Sequence, residues 1–135
     1  MHIKQIQLKN IRTFENTSME FSKGIHLITG SNASGKTNLL ESILYLATTK
    51  SIQHRNDKNI ISQDALNNSV LPIAKISAVI ESEQHNHDID MMFSKPIKES
   101  IANDNQGTSR LTKNFRLNGV TKKASDVIGT LRAVY

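Results

Sequence analysis

Apolar residues along this chain follow two periods, and the changes from one to the other mark the elements. From Met1 to Ile11, the apolar positions Ile3, Ile6, Leu8 and Ile11 stand among Lys and Gln with the two-residue period of a strand. One phase slip predicts a bulge, and the polar neighbours suggest a place at a sheet edge. After a polar turn from Asn10 through Asn16, Thr17-Ser18-Met19-Glu20-Phe21 alternates again, and Lys23-Gly24 turns the chain into Ile25-His26-Leu27-Ile28-Thr29. That run has the apolar, β-branched character of a buried interior parallel strand. From Asn38 the period becomes helical: Leu39, Ile43 and Leu46, with Leu40, Leu44 and Ala47, form one apolar stripe.

Beyond the helix, the stretch from Thr48 to Gln63 is polar and carries Lys50, His54, Arg55 and Lys58, the best local basic patch. Asp57 is placed to cap a short helix through Ile60 and Ile61. Ile76, Ala78 and Ile80 then alternate with Lys75, Ser77 and Val79, and after a polar turn Ile89, Met91 and Phe93 alternate as well, which predicts an antiparallel hairpin. Residues 95–112 lack periodicity and predict a disordered loop. Asn118-Gly119, between Phe115-Arg116-Leu117 and Val120, is the strongest short hairpin signal. Ser125 and Asp126 open a last helix with Val127, Ile128 and Leu131 on its apolar face, and Ala133-Val134-Tyr135 begins a further strand. The pattern predicts an α/β fold: one domain over residues 1–135, with a mixed β-sheet, one principal helix and an antiparallel hairpin layer.

Between the expected strand and helix lies Gly30-Ser31-Asn32-Ala33-Ser34-Gly35-Lys36-Thr37, which satisfies G-x-x-x-x-G-K-[ST]. Gly30 and Gly35 let the backbone curl so that successive N–H groups point at phosphate oxygens. Lys36 is positioned to reach the β- and γ-phosphates of a nucleotide, Thr37 to offer its hydroxyl to Mg²⁺, and the helix start at Asn38 adds the positive end of its dipole. Strand, loop and helix follow in the order that the mechanism requires.

Composition narrows the class without naming it. The chain of 135 residues has 37% hydrophobic and 21% charged residues, ordinary values for a globular chain. No stretch approaches the roughly 20 apolar residues that span a bilayer, and no signal-peptide pattern opens the chain, so a cytoplasmic location is expected. Without cysteine there is neither a disulfide nor a thiolate metal site. His85 and His87 fall on one sheet face with no third ligand in evidence and read as solvated surface. A net charge of +5, scattered rather than clustered, permits contact with nucleic acid without establishing it.

The order of parts is recognisable as that of a known family. Leu8-Lys9-Asn10-Ile11-Arg12, the strand ending Glu20-Phe21, residues 24–30 and Gly35-Lys36-Thr37-Asn38-Leu39-Leu40-Glu41-Ser42-Ile43 resemble the ATPase heads of RecF and its SMC-like relatives. Leu46-Ala47-Thr48-Thr49-Lys50-Ser51, Asn56-Asp57-Lys58-Asn59-Ile60-Ile61, Arg116-Leu117-Asn118-Gly119-Val120 and the segment from Ser125 to Val134 look like later RecF segments. This resemblance implies the N-terminal part of an ABC-type P-loop NTPase head acting in DNA replication, repair and the SOS response. Such a head binds ATP and Mg²⁺, binds single- or double-stranded DNA without regard to sequence, and dimerises as complete heads around ATP. It also implies that Gly30, Ser31, Asn32, Ala33, Ser34, Gly35, Lys36, Thr37 and Asn38 hold the nucleotide, that Thr37 holds the metal, and that Arg12 approaches the phosphates.

The family's signature motif, acidic Walker B residues and switch histidine have no counterpart between Asp64 and Tyr135. Glu81-Ser82-Glu83 follows a strand but no apolar run ends in Asp-Glu, so no catalytic residue is assigned and the chain is expected to bind ATP without hydrolysing it alone. Two other readings stay open at this point. One is a different P-loop enzyme such as a small kinase or GTPase, and the other a DNA-binding or interaction module that does not use nucleotide.

Overall fold

The computed structural model describes residues 1–50, 59–83, 85–95 and 111–133. Its framework is one six-stranded sheet. In chain order the strands are β1 (His2–Ile11), β2 (Phe14–Glu20), β3 (Ile73–Glu81), β4 (Asn86–Ser94), β5 (Thr112–Leu117) and β6 (Val120–Lys122), and in space they lie β2-β1-β3-β4-β5-β6. Among the described residues three helices accompany them: α1 (Lys36–Thr48), α2 (Gln63–Asn68) and the single turn α3 (Ala124–Val127).

Alternation along the strands sets the two faces, because successive side chains of a strand point to opposite sides. On the core face Leu8, Ile76, Met91 and Phe115 stand in one cross-strand row, and Ile6, Ala78 and Ile89 in the next. All of these are buried. On the other face the matching row is Gln7, Ser77, Asp90 and Arg116. There Asp90 accepts from the Ser77 hydroxyl at 2.7 Å and pairs with Lys75 at 2.7 Å. Burial raises the Asp90 pKa, but the hydrogen bonds from Lys75 and Ser77 and the charges of Lys75 and Arg116 together outweigh it, so the carboxyl titrates below its ordinary value.

Helix α1 lies over the core face and buries Leu39, Tyr45 and Leu46. Each such side chain contributes about 1.5–3 kcal/mol when taken from water. The Tyr45 ring meets Phe93 edge-on at 5.2 Å, and Lys113 Nζ stands 5.5 Å from the Tyr45 ring centroid. Leu40, expected within the apolar stripe, is instead exposed.

Both predicted hairpins form, as β3–β4 and β5–β6. Asn118 (φ 51°) and Gly119 (φ 77°) take the left-handed conformations of a tight two-residue turn, and Asn118 is tied to Asp88 of β4 by bonds of 2.8 and 2.9 Å. The bulge in β1 also forms, as a register shift between Ile3 and Gln5, so that Ile3 and Ile6 both keep to the core side.

Other expectations are corrected. β1 is an interior strand, paired with β2 on one edge and with β3 on the other; its polar side chains mark a solvated face of the sheet and not an open edge. The hairpins extend this same sheet instead of forming a second layer, and every ladder among the described residues is antiparallel. Ile60 and Ile61 are not helical: Ile61 bridges to Ile11, both are buried, and α2 starts after Ser62, whose hydroxyl accepts from the Ala65 N–H at 3.2 Å. In α3 the cap position is Lys123, whose N–H donates to the Asp126 carboxylate at 3.4 Å, while Ile128 is exposed and only Val127 and Leu131 are buried. His85 belongs to the turn before β4 and not to the strand that carries His87.

The largest departure is at residues 25–29. They join no ladder among the described residues, and Ile25 and Leu27 are 103% and 88% exposed. An interior parallel strand needs neighbours on both edges and cover on both faces, and the described strands are already committed to one another. Local contacts tie the segment at its start, with His26 Nε2 at 2.7 Å from the Ser22 carbonyl oxygen and the Phe21 and His26 rings edge-on at 5.2 Å.

The basic patch at His54, Arg55 and Lys58, the Asp57 cap, most of the 95–112 loop and the strand start at Val134 lie outside the described residues; Thr112 already belongs to β5. Among the described residues no helix is long and apolar enough to cross a membrane.

Candidate functional site

Residues 30–37 lead directly into α1, and their course follows from two left-handed backbone positions, Ala33 (φ 64°) and Gly35 (φ 92°). The Ser34 N–H closes a turn onto the Ser31 carbonyl at 3.3 Å. Gly35 is the N-cap of α1, and here glycine is required twice. Its φ disfavours a side chain, and a Cβ would stand 3.0 Å from both Phe14 Cζ and Thr13 Oγ1. The turn between β1 and β2 therefore presses against the end of the loop.

Lys36 folds back over the loop. Its ammonium donates to the carbonyls of Gly30 at 2.8 Å and Ser31 at 2.6 Å, with the Ser34 hydroxyl at 3.3 Å. Among the described residues no carboxylate pairs with it. No side chain caps α1 and no acidic residue stands in its first turn, so the first N–H groups and the positive end of the helix dipole are left beside that ammonium. Asn32 and Thr37 are exposed at the same place. A cation with no carboxylate partner among the described residues and a helix start with free N–H groups lie side by side, and each of them favours an anion.

The other expected residues are arranged less simply. The Asn38 amide donates to Thr13 Oγ1 at 3.0 Å, fastening α1 to the β1–β2 turn beside the end of the loop at Gly35. Arg12 lies in that turn with φ 51°, and its guanidinium meets Glu41 of α1 at 2.9 Å, one helical turn beyond Thr37. Glu41 and Thr13 are members of this arrangement that reading the sequence missed. A carboxylate inside the helix, four residues after Thr37, was the visible signal for Glu41, but nothing local named Arg12 as its partner.

Glu81 is far from the loop. It pairs with His2 at 3.8 Å, at the opposite end of β1 from Arg12, and the 10 residues of β1 at roughly 3.3 Å each separate the two by about 30 Å. Glu81 is thus excluded as an acid acting at residues 30–37 of the same chain.

The family described as AAA domain matches residues 5–131. The chain belongs to the AAA domain family, on its RecF/SMC-like branch. Among its AAA-family relatives, the DNA replication and repair protein RecF of Herpetosiphon aurantiacus is 28% identical over 99% of this chain and 34% of its own length. RecF of Lachnoclostridium phytofermentans is 34% identical over 85% of this chain and 30% of its own length. RecF of Listeria welshimeri reaches 49% identity over 61 residues. In fold, the chain is similar to the recombination mediator protein RecF-ATP of the RecFOR pathway, with a TM-score of 0.72 at 22% identity over 97% of this chain. It is also similar to the SMC head domain from Thermotoga maritima, with a TM-score of 0.61 at 19% identity over 94% of this chain. The expected fold class, a P-loop ABC-type head, is the class of these neighbours. The chain spans about a third of the length of the RecF relatives that it matches over most of its own length.

Proposed function

We propose that this chain is the ATP-binding, N-terminal part of the head of a RecF-like DNA replication and repair ATPase, working in the cytoplasm as a single domain. The observation that carries the reading is the Lys36 ammonium, held over residues 30–37 by loop carbonyls and, among the described residues, without a carboxylate partner, at a start of α1 that no side chain caps. A triphosphate replaces those carbonyls as acceptor, and the loop N–H groups receive its oxygens. That one solved relative in fold is described as RecF-ATP supports ATP as the nucleotide.

Thr37, exposed in the first turn of α1, fits one position of a Mg²⁺ shell. The ion would neutralise charge on the phosphates, while this chain contributes the threonine hydroxyl, Lys36 and the loop amides. The Walker B pair that holds the far side of such a shell and orients an attacking water has no counterpart in this sequence, and Glu41, the carboxylate one helical turn beyond Thr37, is engaged by Arg12. Binding without turnover is therefore the proposed behaviour of this chain by itself, since contacts made equally in ground and transition states do not lower the barrier.

In the complete head, residues 25–29 take their expected place as an interior strand, flanked by strands from the part of the relatives' length that has no counterpart here. ATP-dependent dimerisation of complete heads and binding of single- or double-stranded DNA through scattered basic residues belong to the same proposal. The test is calorimetric titration with Mg²⁺-ATP, paired with phosphate release at saturation. Lys36→Ala is expected to abolish binding and leave the fold intact, and neither protein is expected to release phosphate above background. Equal affinity in the two proteins would show that the loop is not a nucleotide site.

A further inference from the structure

We infer that Glu41 sets how strongly the site prefers a nucleoside triphosphate over the diphosphate, by competing with the terminal phosphate for Arg12; this rests on the nucleotide reading above. Arg12 and Glu41 meet at 2.9 Å with side chains only 20% and 16% exposed, so each is the other's principal charge partner in a largely dry place. The corner that delivers Arg12 is strained and firmly held. Asn10 and Arg12 both adopt left-handed backbone conformations, at φ 53° and 51°. Three bonds fix them there: Arg12 N–H to the Ile60 carbonyl at 2.9 Å, Ser62 N–H to the Asn10 carbonyl at 2.8 Å, and the Asn10 amide to the Ile73 carbonyl at 2.9 Å. Two non-glycine residues kept in this region by surrounding bonds mark a corner whose shape serves its position rather than its own stability.

That corner spans both the loop and the helix. Thr13 touches the loop at Gly35 and accepts from Asn38 in the first turn of α1, while Arg12, its neighbour in sequence, is held at the second turn by Glu41. From Thr37 to Glu41 the helix rises about 6 Å, a displacement that the long arginine side chain covers by changing rotamers. A terminal phosphate at the loop offers the guanidinium a second, more highly charged acceptor. Taking it leaves Glu41 buried without its partner, and that cost weakens triphosphate binding. A diphosphate does not extend to Arg12, so the ion pair stays closed and no cost arises. Removing the Glu41 charge therefore strengthens triphosphate binding selectively.

Calorimetric titration of the full chain with Mg²⁺-ATP and Mg²⁺-ADP, with a thermal midpoint for each variant, tests this. Glu41→Gln is expected to tighten ATP by about fivefold, the scale of one partly exposed ion pair, and to change ADP by less than about twofold. Glu41→Asp, which keeps the charge but draws it back from Arg12, is expected to fall between. Arg12→Ala is expected to lower the ratio of ATP to ADP affinity, and Glu41→Gln added to Arg12→Ala to have no further effect on that ratio. A purely structural role for Glu41 lowers the thermal midpoint and moves both nucleotides together. That pattern overturns the inference, as does an equal Glu41→Gln effect with and without Arg12. Failure of the nucleotide reading looks different: the unsubstituted chain and Lys36→Ala then bind ATP equally or not at all, and the inference falls with it.

Discussion

Replacing Gly35 with alanine separates two costs that the structure assigns to one position. The backbone cost comes from φ 92°, where a side chain loses about 1–2 kcal/mol relative to the right-handed region. A packing cost is added by the neighbours of the new methyl, which stands 3.0 Å from Phe14 Cζ and 3.0 Å from Thr13 Oγ1. Neither neighbour gives way easily: Thr13 is bonded to Asn38, and Phe14 packs against the core. Crowding of this kind costs about 1–3 kcal/mol, so Gly35→Ala is expected to lose roughly 2–5 kcal/mol in all. Gly129 is the control, since its φ of 95° is nearly the same and nothing lies within 4 Å of its added Cβ. Gly129→Ala is expected to lose the backbone part alone, about 1–2 kcal/mol. Urea unfolding of the three proteins, followed by circular dichroism with m-values compared, measures both. If Gly35→Ala loses no more than Gly129→Ala, the β1–β2 turn does not press on the loop, and the positioning of Arg12 argued from that contact is wrong.

Three further outcomes follow from burial and charge. Leu39→Ala is expected to cost about 2–5 kcal/mol, because Leu39 is buried between α1 and the sheet, whereas Leu27→Ala is expected to change stability by less than about 0.5 kcal/mol because Leu27 is exposed; a large loss at Leu27 in urea unfolding would place residues 25–29 in the core. Asp90 has a lowered native pKa, so its contribution is complete above the ordinary value of 3.8 and disappears as pH falls through the native value. Asp90→Asn is accordingly expected to lose under about 1 kcal/mol at neutral pH, with the difference vanishing in acid, and a difference that persists in strong acid would assign the effect to packing. DNA binding is expected to fall steeply with salt at a slope independent of sequence, and a sequence-specific complex at high salt, seen by fluorescence anisotropy, would contradict that.

The sequence alone determined what is local. Alternation placed β3 and β4, Asn118-Gly119 placed the turn between β5 and β6, and the glycines and Lys36 defined residues 30–37, because strand phase, turn chemistry and a short motif are each written within a few neighbouring residues. Even the phase slip in β1 was legible, since an extra residue in a strand shifts the apolar pattern directly. What only the tertiary structure decided involves partners distant in the chain. β1 is interior because β3, more than sixty residues later, pairs with its second edge. Ile61 is drawn into a bridge with Ile11 and out of the helix that a nearby aspartate suggested. Arg12 faces Glu41 because strained backbone at residues 10 and 12 turns it toward α1, and that geometry depends on bonds to Ile60, Ser62 and Ile73. The same reason explains residues 25–29: an apolar run states that it can be buried, but burial requires neighbouring strands, and among the described residues none pairs with it.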